Sequence, residues 1–193
     1  NDSSLPRYTF SVNAHYVLPF GHGKRFLAHQ NGFVNRLVSG YNLTAFYYQR
    51  SGLFFSPYYA SGAQANILAP GRTPELPKNK RTRTQWFDAS RYTTAMQNKK
   101  IPYAGQTYIQ RQPSEADQLG NIPRNALTGP GFNNMDATIS KNTPIKGQFV
   151  FRMDAQFFNV YNHVNLTVPN NNGITVNQLG TPRTIQLQAK LIF

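Results

Sequence analysis

The stretch TIQLQAKLIF, Thr184 to Phe193, decides the fold of this chain. Ile185, Leu187, Ala189, Leu191 and Phe193 alternate with Thr184, Gln186, Gln188 and Lys190, and only Ile192 breaks the second row. In a strand successive side chains point to opposite faces, so this segment has one apolar face and one largely polar face. About 10 residues suffice for a tilted strand to cross a bilayer. One such strand proves little, because a soluble sandwich uses the same alternation. Its weight depends on how often the pattern returns.

It returns upstream. Tyr8, Phe10, Val12, Ala14, Tyr16 and Leu18 form one apolar row, opposed by Thr9, Ser11, Asn13 and His15. Met135, Ala137 and Ile139 form another, set against Asp136, Thr138 and Ser140. Phe149, Phe151, Met153, Ala155 and Phe157 form a third, facing Gln148, Arg152, Asp154 and Gln156. A more mixed segment places Leu37, Tyr41, Leu43, Ala45 and Tyr47 opposite Asn42 and Thr44, with Phe46 and Tyr48 joining the polar row. No stretch shows helical periodicity. The pattern predicts an all-β chain of about five antiparallel amphipathic strands, at Arg7–Leu18, Leu37–Gln49, Phe132–Lys141, Gly147–Val160 and Arg183–Phe193, with long loops.

Turn chemistry separates these strands. Pro144, within Asn142 to Lys146, supplies a short turn, and Gly21, Gly23 and Asn31-Gly32 mark a longer hairpin with strand extensions. Asn170 to Gly173 marks a loop tip before the last strand. Gly120, Gly129 and Gly131, with Pro130, suit a reversal where positive φ is needed. From Arg50 to Gly131 runs a long excursion rich in Pro, Gly, Asn and basic residues, a length that points to a functional or disordered segment. Alternating short and long connections match an outer-membrane-type β-barrel, whose tight turns are periplasmic and long loops extracellular. With Phe193 at the periplasmic rim, residues 51–131 fall outside the cell.

Composition agrees. Only 39% of residues are hydrophobic, yet 13% are aromatic, which suits short amphipathic strands with aromatic girdles and polar loops. No apolar run is long enough for a membrane helix, so any crossing is by strands. The absence of cysteine excludes disulfides and thiolate metal sites. Asn1 is not methionine and no charged-then-apolar leader follows it, so the chain is expected to derive from a longer precursor.

The net charge of +13, from 20 basic and 7 acidic residues, raises nucleic acid as a partner. That class needs stacking aromatics beside the cations, whereas here the aromatics follow the apolar rows. Arg72, Lys78, Lys80, Arg81 and Arg83 lie in a Pro-rich stretch between strands and are candidates for contact with an anionic surface, such as outer-membrane lipid or lipopolysaccharide. A solvated loop without a ligand is the competing interpretation.

Catalytic motifs fail on spacing. Gly21-His-Gly-Lys24 lacks the Walker spacing and the following Ser or Thr, so a hairpin turn is the better account. His15, His22, His29 and His163 have no paired carboxylates, and no G-x-S-x-G elbow or acidic dyad occurs. No enzyme, cofactor or metal is expected.

Six phrases taken in order resemble one family. They are YVLPFGHGKRF (Tyr16 to Phe26), YNLTAFYYQRSGLFFSP (Tyr41 to Pro57), TQWFDASRY (Thr84 to Tyr92), GNIPRNALTGPGFNNMD (Gly120 to Asp136), FRMDAQFFNVYNHVNL (Phe151 to Leu166) and the closing LGTPRTIQLQAKLIF. Their order and spacing resemble the C-terminal barrel portion of TonB-dependent outer-membrane receptors of the Oar-like type, which carry a carboxypeptidase-regulatory-like domain at the N-terminus. The resemblance covers residues 1–193. It implies a 22-stranded barrel with a plug and a TonB box, importing bulky nutrients or serving at the bacterial cell surface. TonB would engage only through N-terminal regions that this chain lacks. The stretch Arg72 to Arg83 departs from the family pattern. Ile185, Leu187, Ala189, Leu191 and Phe193 resemble the C-terminal signal read by the outer-membrane assembly machinery. Arg152 and Asp154 are expected to pair structurally in the lumen wall.

Five strands do not close a barrel, since even a small one takes about 8. The remaining edges must therefore meet the rest of the precursor barrel or copies of the chain. The second course makes a processed fragment that self-assembles through strand edges into a ring or an extracellular filament.

Overall fold

In the computed structural model, residues 3–29, 32–57, 66–67, 74–93, 99–103, 106–110, 122–175 and 177–193 are described. Five long strands form one sheet: β1 (Thr9–Val17), β2 (Tyr41–Arg50), β3 (Phe132–Lys146), β4 (Phe149–Phe158) and β5 (Thr184–Ile192). Their spatial order is the sequence order, β1-β2-β3-β4-β5, an up-and-down meander. The alternating β-branched and aromatic residues of each segment fit a pleated surface with one greasy side.

Register aligns the apolar rows. Phe151, Met153, Ala155 and Phe157 of β4 stand opposite Leu191, Ala189, Leu187 and Ile185 of β5. On its other side β4 places Ala155 against Ile139 and Phe157 against Ala137. Leu18 donates to the Tyr41 carbonyl and Ser51 to the Tyr8 carbonyl, which sets Val12 and Ala14 beside Tyr47 and Ala45. Asn142 donates to the Gly40 carbonyl, which sets β2 against β3 with Leu43 near Ile139. Directly paired residues share a face, so the five rows read from sequence lie on one side of one sheet.

The chain divides into two compact units. The sheet unit comprises 10–49, 133–164 and 180–193. The connection unit, made of the segment before β1 and much of the β2–β3 and β4–β5 connections, comprises 1–9, 50–132 and 165–179. Its core is Phe55, Phe87, Ile122 and Leu127, with Trp86, Ala89 and Ala126 packed against them. The long excursion is therefore not bare loop. Phe54–Phe55 pairs with Leu127–Thr128, Asn66–Ile67 with Tyr92–Thr93, and Lys99–Tyr103 with Gln106–Gln110.

Three expectations need correction. A helix, α1, spans Gly32–Val38, where sequence suggested a hairpin, and Leu37 belongs to it rather than to β2. Seven residues make two turns, too few for a helical period to stand out. Gly40 ends it at φ 81°, a left-handed stop that suits glycine. Second, β3 continues through Pro144 to Lys146, and the reversal falls at Gly147 with φ 58°. Pro144 stands opposite Val150 beside a register shift, a bulge that tolerates its missing N–H. Third, Gly129 and Gly131 are not among the positive-φ residues. Their role is close approach: a Cβ on Gly131 would lie 3.1 Å from the Arg50 carbonyl oxygen, and one on Gly129 3.3 Å from that of Leu53. Gly120 lies outside the described residues.

Candidate functional site

The candidate site is the sheet itself, because its two faces have different chemistry. On the apolar face the residues are sorted by height. Aliphatic side chains hold the middle: Val12, Ala14, Leu43, Ala45, Ala137, Ile139, Ala155, Leu187 and Ala189. Aromatic rings hold both ends. Phe10 meets Tyr47 edge-on at 6.2 Å at one end, and Phe149 meets Phe193 at 6.3 Å at the other. Leu187 is 81% exposed and Phe193 82%, and Tyr16, Phe10, Met153 and Ile185 are also exposed. An apolar band flanked by rings, with no protein over it among the described residues, is the surface a bilayer covers.

The opposite face is polar and satisfied internally. Asp154, only 4% exposed, accepts from Arg152 Nε at 2.8 Å, and Arg152 Nη2 donates to the Ser140 hydroxyl at 3.2 Å. Arg152 stands opposite Asn142 on one neighbouring strand and Lys190 on the other. Gln156 is flanked by Thr138 and Gln186. Spacing of two along one strand puts Arg152 and Asp154 side by side, as expected of a structural pair. Phe46 and Tyr48 fall on this face too.

At the end opposite Phe193, Asn159 ties β4 to β5. It is buried and left-handed, with φ 51°. Its amide nitrogen donates to the carbonyls of His163 and Thr181, both at 3.0 Å, while its oxygen accepts from the His163 N–H at 2.9 Å. Its own N–H donates to Asp136 at 2.9 Å, and Asn162 accepts from the Arg183 N–H at 3.1 Å. The Asn-Val-Tyr-Asn-His run of the fifth phrase is thus a backbone clamp. Sequence reasoning missed it; the only signal was asparagine recurring where a strand ends, a residue that tolerates left-handed backbone.

The connection unit explains the other phrases. Trp86 Nε1 donates to the Thr128 carbonyl at 2.8 Å and its backbone N–H to that of Gly173 at 2.8 Å. Asp88 accepts from the Ser90 hydroxyl at 2.6 Å. Asn125 donates its backbone N–H to the Ser56 hydroxyl. Asn170 Oδ1 accepts from the N–H groups of Asn172 and Ile174, closing the expected loop tip. Phrases far apart in sequence are here one packed body.

Among the described residues the basic candidates have different surroundings. Arg81 bonds to Glu75 and to the Leu76 carbonyl, both at 2.8 Å, and lies 5.7 Å from the Trp86 ring. Arg83 Nε donates to the Thr175 carbonyl at 3.2 Å. Lys78 and Lys80 are exposed on a 3-10 turn, and Arg72 lies outside the described residues. In the hairpin candidate, Lys24 donates to the Gly21 carbonyl and Gly21 to that of Phe26, a turn and not a phosphate loop.

Ile185, Leu187, Ala189, Leu191 and Phe193 line the apolar face of β5, all exposed. An outer membrane beta barrel domain model matches residues 2–189. The chain belongs to that family. Searches of curated proteins and of solved structures each found no match. For an outer-membrane β-barrel domain the two faces acquire an assignment: the girdled apolar face meets lipid and the Arg152–Asp154 face lines the barrel interior. The bacterial outer membrane is its place. Among the described residues the sheet is open, with β1 and β5 at its edges.

Proposed function

We propose that this outer-membrane β-barrel domain is wall and outer surface of a TonB-dependent receptor of the Oar-like kind, without catalytic activity, acting in uptake of bulky nutrients or at the cell surface. The observation that carries this is the convergence of family-like phrases on structural jobs. Phe55 of SGLFFSP, Trp86, Phe87 and Ala89 of TQWFDASRY, and Ile122, Ala126 and Leu127 of IPRNALTGPG build the core of the connection unit, and FNVYNH clamps β4 to β5. With Phe193 at the periplasmic rim, the β2–β3 and β4–β5 connections are extracellular. Among the described basic candidates, Lys78 and Lys80 are then exposed to meet lipopolysaccharide. The partners across the open edges are further strands of the same barrel. The last apolar row, ending on Phe193, serves as the signal for the assembly machinery.

Extraction of the native protein with detergent, followed by mass spectrometry of the intact polypeptide, tests the receptor assignment. A plug and an energy-coupling segment on the same polypeptide are expected. A polypeptide lacking both removes the transport role. Rings or fibres on negative-stain microscopy would instead support self-assembly through the edges.

A further inference from the structure

The connection between β1 and β2 is unlike a short barrel turn. It holds α1, and one stripe of that helix is apolar and uncovered: Phe33 is 74% exposed, with Val34 and Leu37 also exposed. Leu37 is four positions from Phe33 and three from Val34, so the three fall within a stripe about 100° wide. Phe20, Phe26 and Leu27 of the preceding turn are exposed too, and the Phe20 and Phe26 rings pack 5.7 Å apart. Lys24, Arg25 and Arg36 stand exposed among them. Asn35 holds the helix to that turn, its side-chain oxygen accepting from the His22 N–H at 2.7 Å.

Lys141 shows which side of the sheet this element occupies. It belongs to the apolar row, opposite Met153. Its ammonium donates to the carbonyls of Leu37 and Ser39 at 2.8 and 2.9 Å and lies 4.2 Å from the Tyr41 ring centre. A lipid-side lysine thus satisfies one carbonyl in the last turn of α1 and one just past it, which draws the helix end to the lipid-facing side, near the Phe193 rim. The exposed stripe therefore lies on an element tied directly to the surface that meets the bilayer.

We propose that α1 and its flanking turn form an interfacial anchor, docked on the phospholipid leaflet at the Phe193 end of the barrel. Phe33, Val34 and Leu37 enter the boundary between headgroups and acyl chains, about 5–10 Å deep for such helices. Lys24, Arg25 and Arg36 contact anionic headgroups. The inference rests on the lipid-facing assignment of the sheet.

The test uses the full-length protein, free of other cysteines, inserted into phosphatidylethanolamine–phosphatidylglycerol vesicles. Phe33→Cys, Leu187→Cys and Asn171→Cys are spin-labelled separately; these sites are exposed, so labelling leaves the packing intact. Accessibility to oxygen and to a water-soluble nickel chelate gives depth. Expected is loss of chelate access with oxygen access retained at positions 33 and 187, deeper at 187, and full chelate access at 171. Combining Lys24→Gln, Arg25→Gln and Arg36→Gln should move the label at 33 toward water. Chelate access at 33 with lipid exposure at 187 overturns the anchor and leaves the barrel standing. Protection at 33 from both reagents means that protein covers the stripe, and also overturns it. Chelate access at both 33 and 187 removes the lipid-facing assignment itself.

Discussion

Leu187→Arg separates a membrane wall from a water-exposed sheet. Leu187 lies six positions before Phe193 on β5 and is 81% exposed. At about 3.3 Å per residue it is roughly 20 Å along the strand from the rim. A tilt of about 40° reduces that to roughly 15 Å of depth, near the middle of an apolar band about 25 Å tall. An arginine at mid-depth on the lipid face costs about 2–4 kcal/mol. A value of ~3 kcal/mol lowers the folded-to-unfolded ratio by roughly 150-fold. In water the same exposed substitution would change stability by no more than about 0.5 kcal/mol. Gln188→Arg is the internal control, because Gln188 stands opposite Asp154 on the polar face and an added cation there is close to neutral. The assay is a denaturant titration in lipid vesicles followed by far-ultraviolet circular dichroism. Equal stability of Leu187→Arg and the parent, or a larger loss for Gln188→Arg, would refute the assignment of the two faces.

Other expectations concern the parts that hold the wall together. A Cβ on Gly52 would collide with the Gly129 carbonyl oxygen. Gly52→Ala should therefore cost about 1–3 kcal/mol and alter emission of Trp86, which is bonded to the neighbouring Thr128. Gly147→Ala meets nothing within 4 Å and strains only a φ of 58°, so a loss of about 1–2 kcal/mol is expected. Asn159→Ala removes three side-chain hydrogen bonds at a buried site, and about 2–4 kcal/mol should be lost, with faster amide exchange at His163. Asn159→Asp keeps the acceptor but sets a buried carboxylate oxygen against the His163 and Thr181 carbonyls, so it should cost at least as much as Asn159→Ala. Arg152→Ala takes from the buried Asp154 its ion-pair partner and leaves it the Ser140 hydroxyl and the charge of Lys190 on the next strand; a cost of about 1–3 kcal/mol is expected, and Asp154→Asn in the same background should restore part of it. An unchanged melting profile for Arg152→Ala would show the pair to be idle.

The strands were legible because burial of one face imposes a period of two, and each expected strand was found within a few residues of its place. Boundaries failed where local chemistry misled: Pro144 reads as a turn but sits in a bulged strand end, and α1 is too short to display a period. The basic stretch shows the same limit. Lys78, Lys80, Arg81 and Arg83 look alike in sequence, yet Arg81 and Arg83 are engaged with Glu75, Leu76 and Thr175.

By itself the sequence determined that the chain is built of ribbons with one greasy and one wet flank, because side-chain direction in an extended backbone follows from covalent geometry alone. Only the tertiary structure decided that five such flanks share one face, that rings collect at both margins of it, and that segments some 70 positions apart, such as Ser56 and Asn125, close on each other. Those facts depend on register and on backbone contacts across the sheet, which no local pattern of residues encodes.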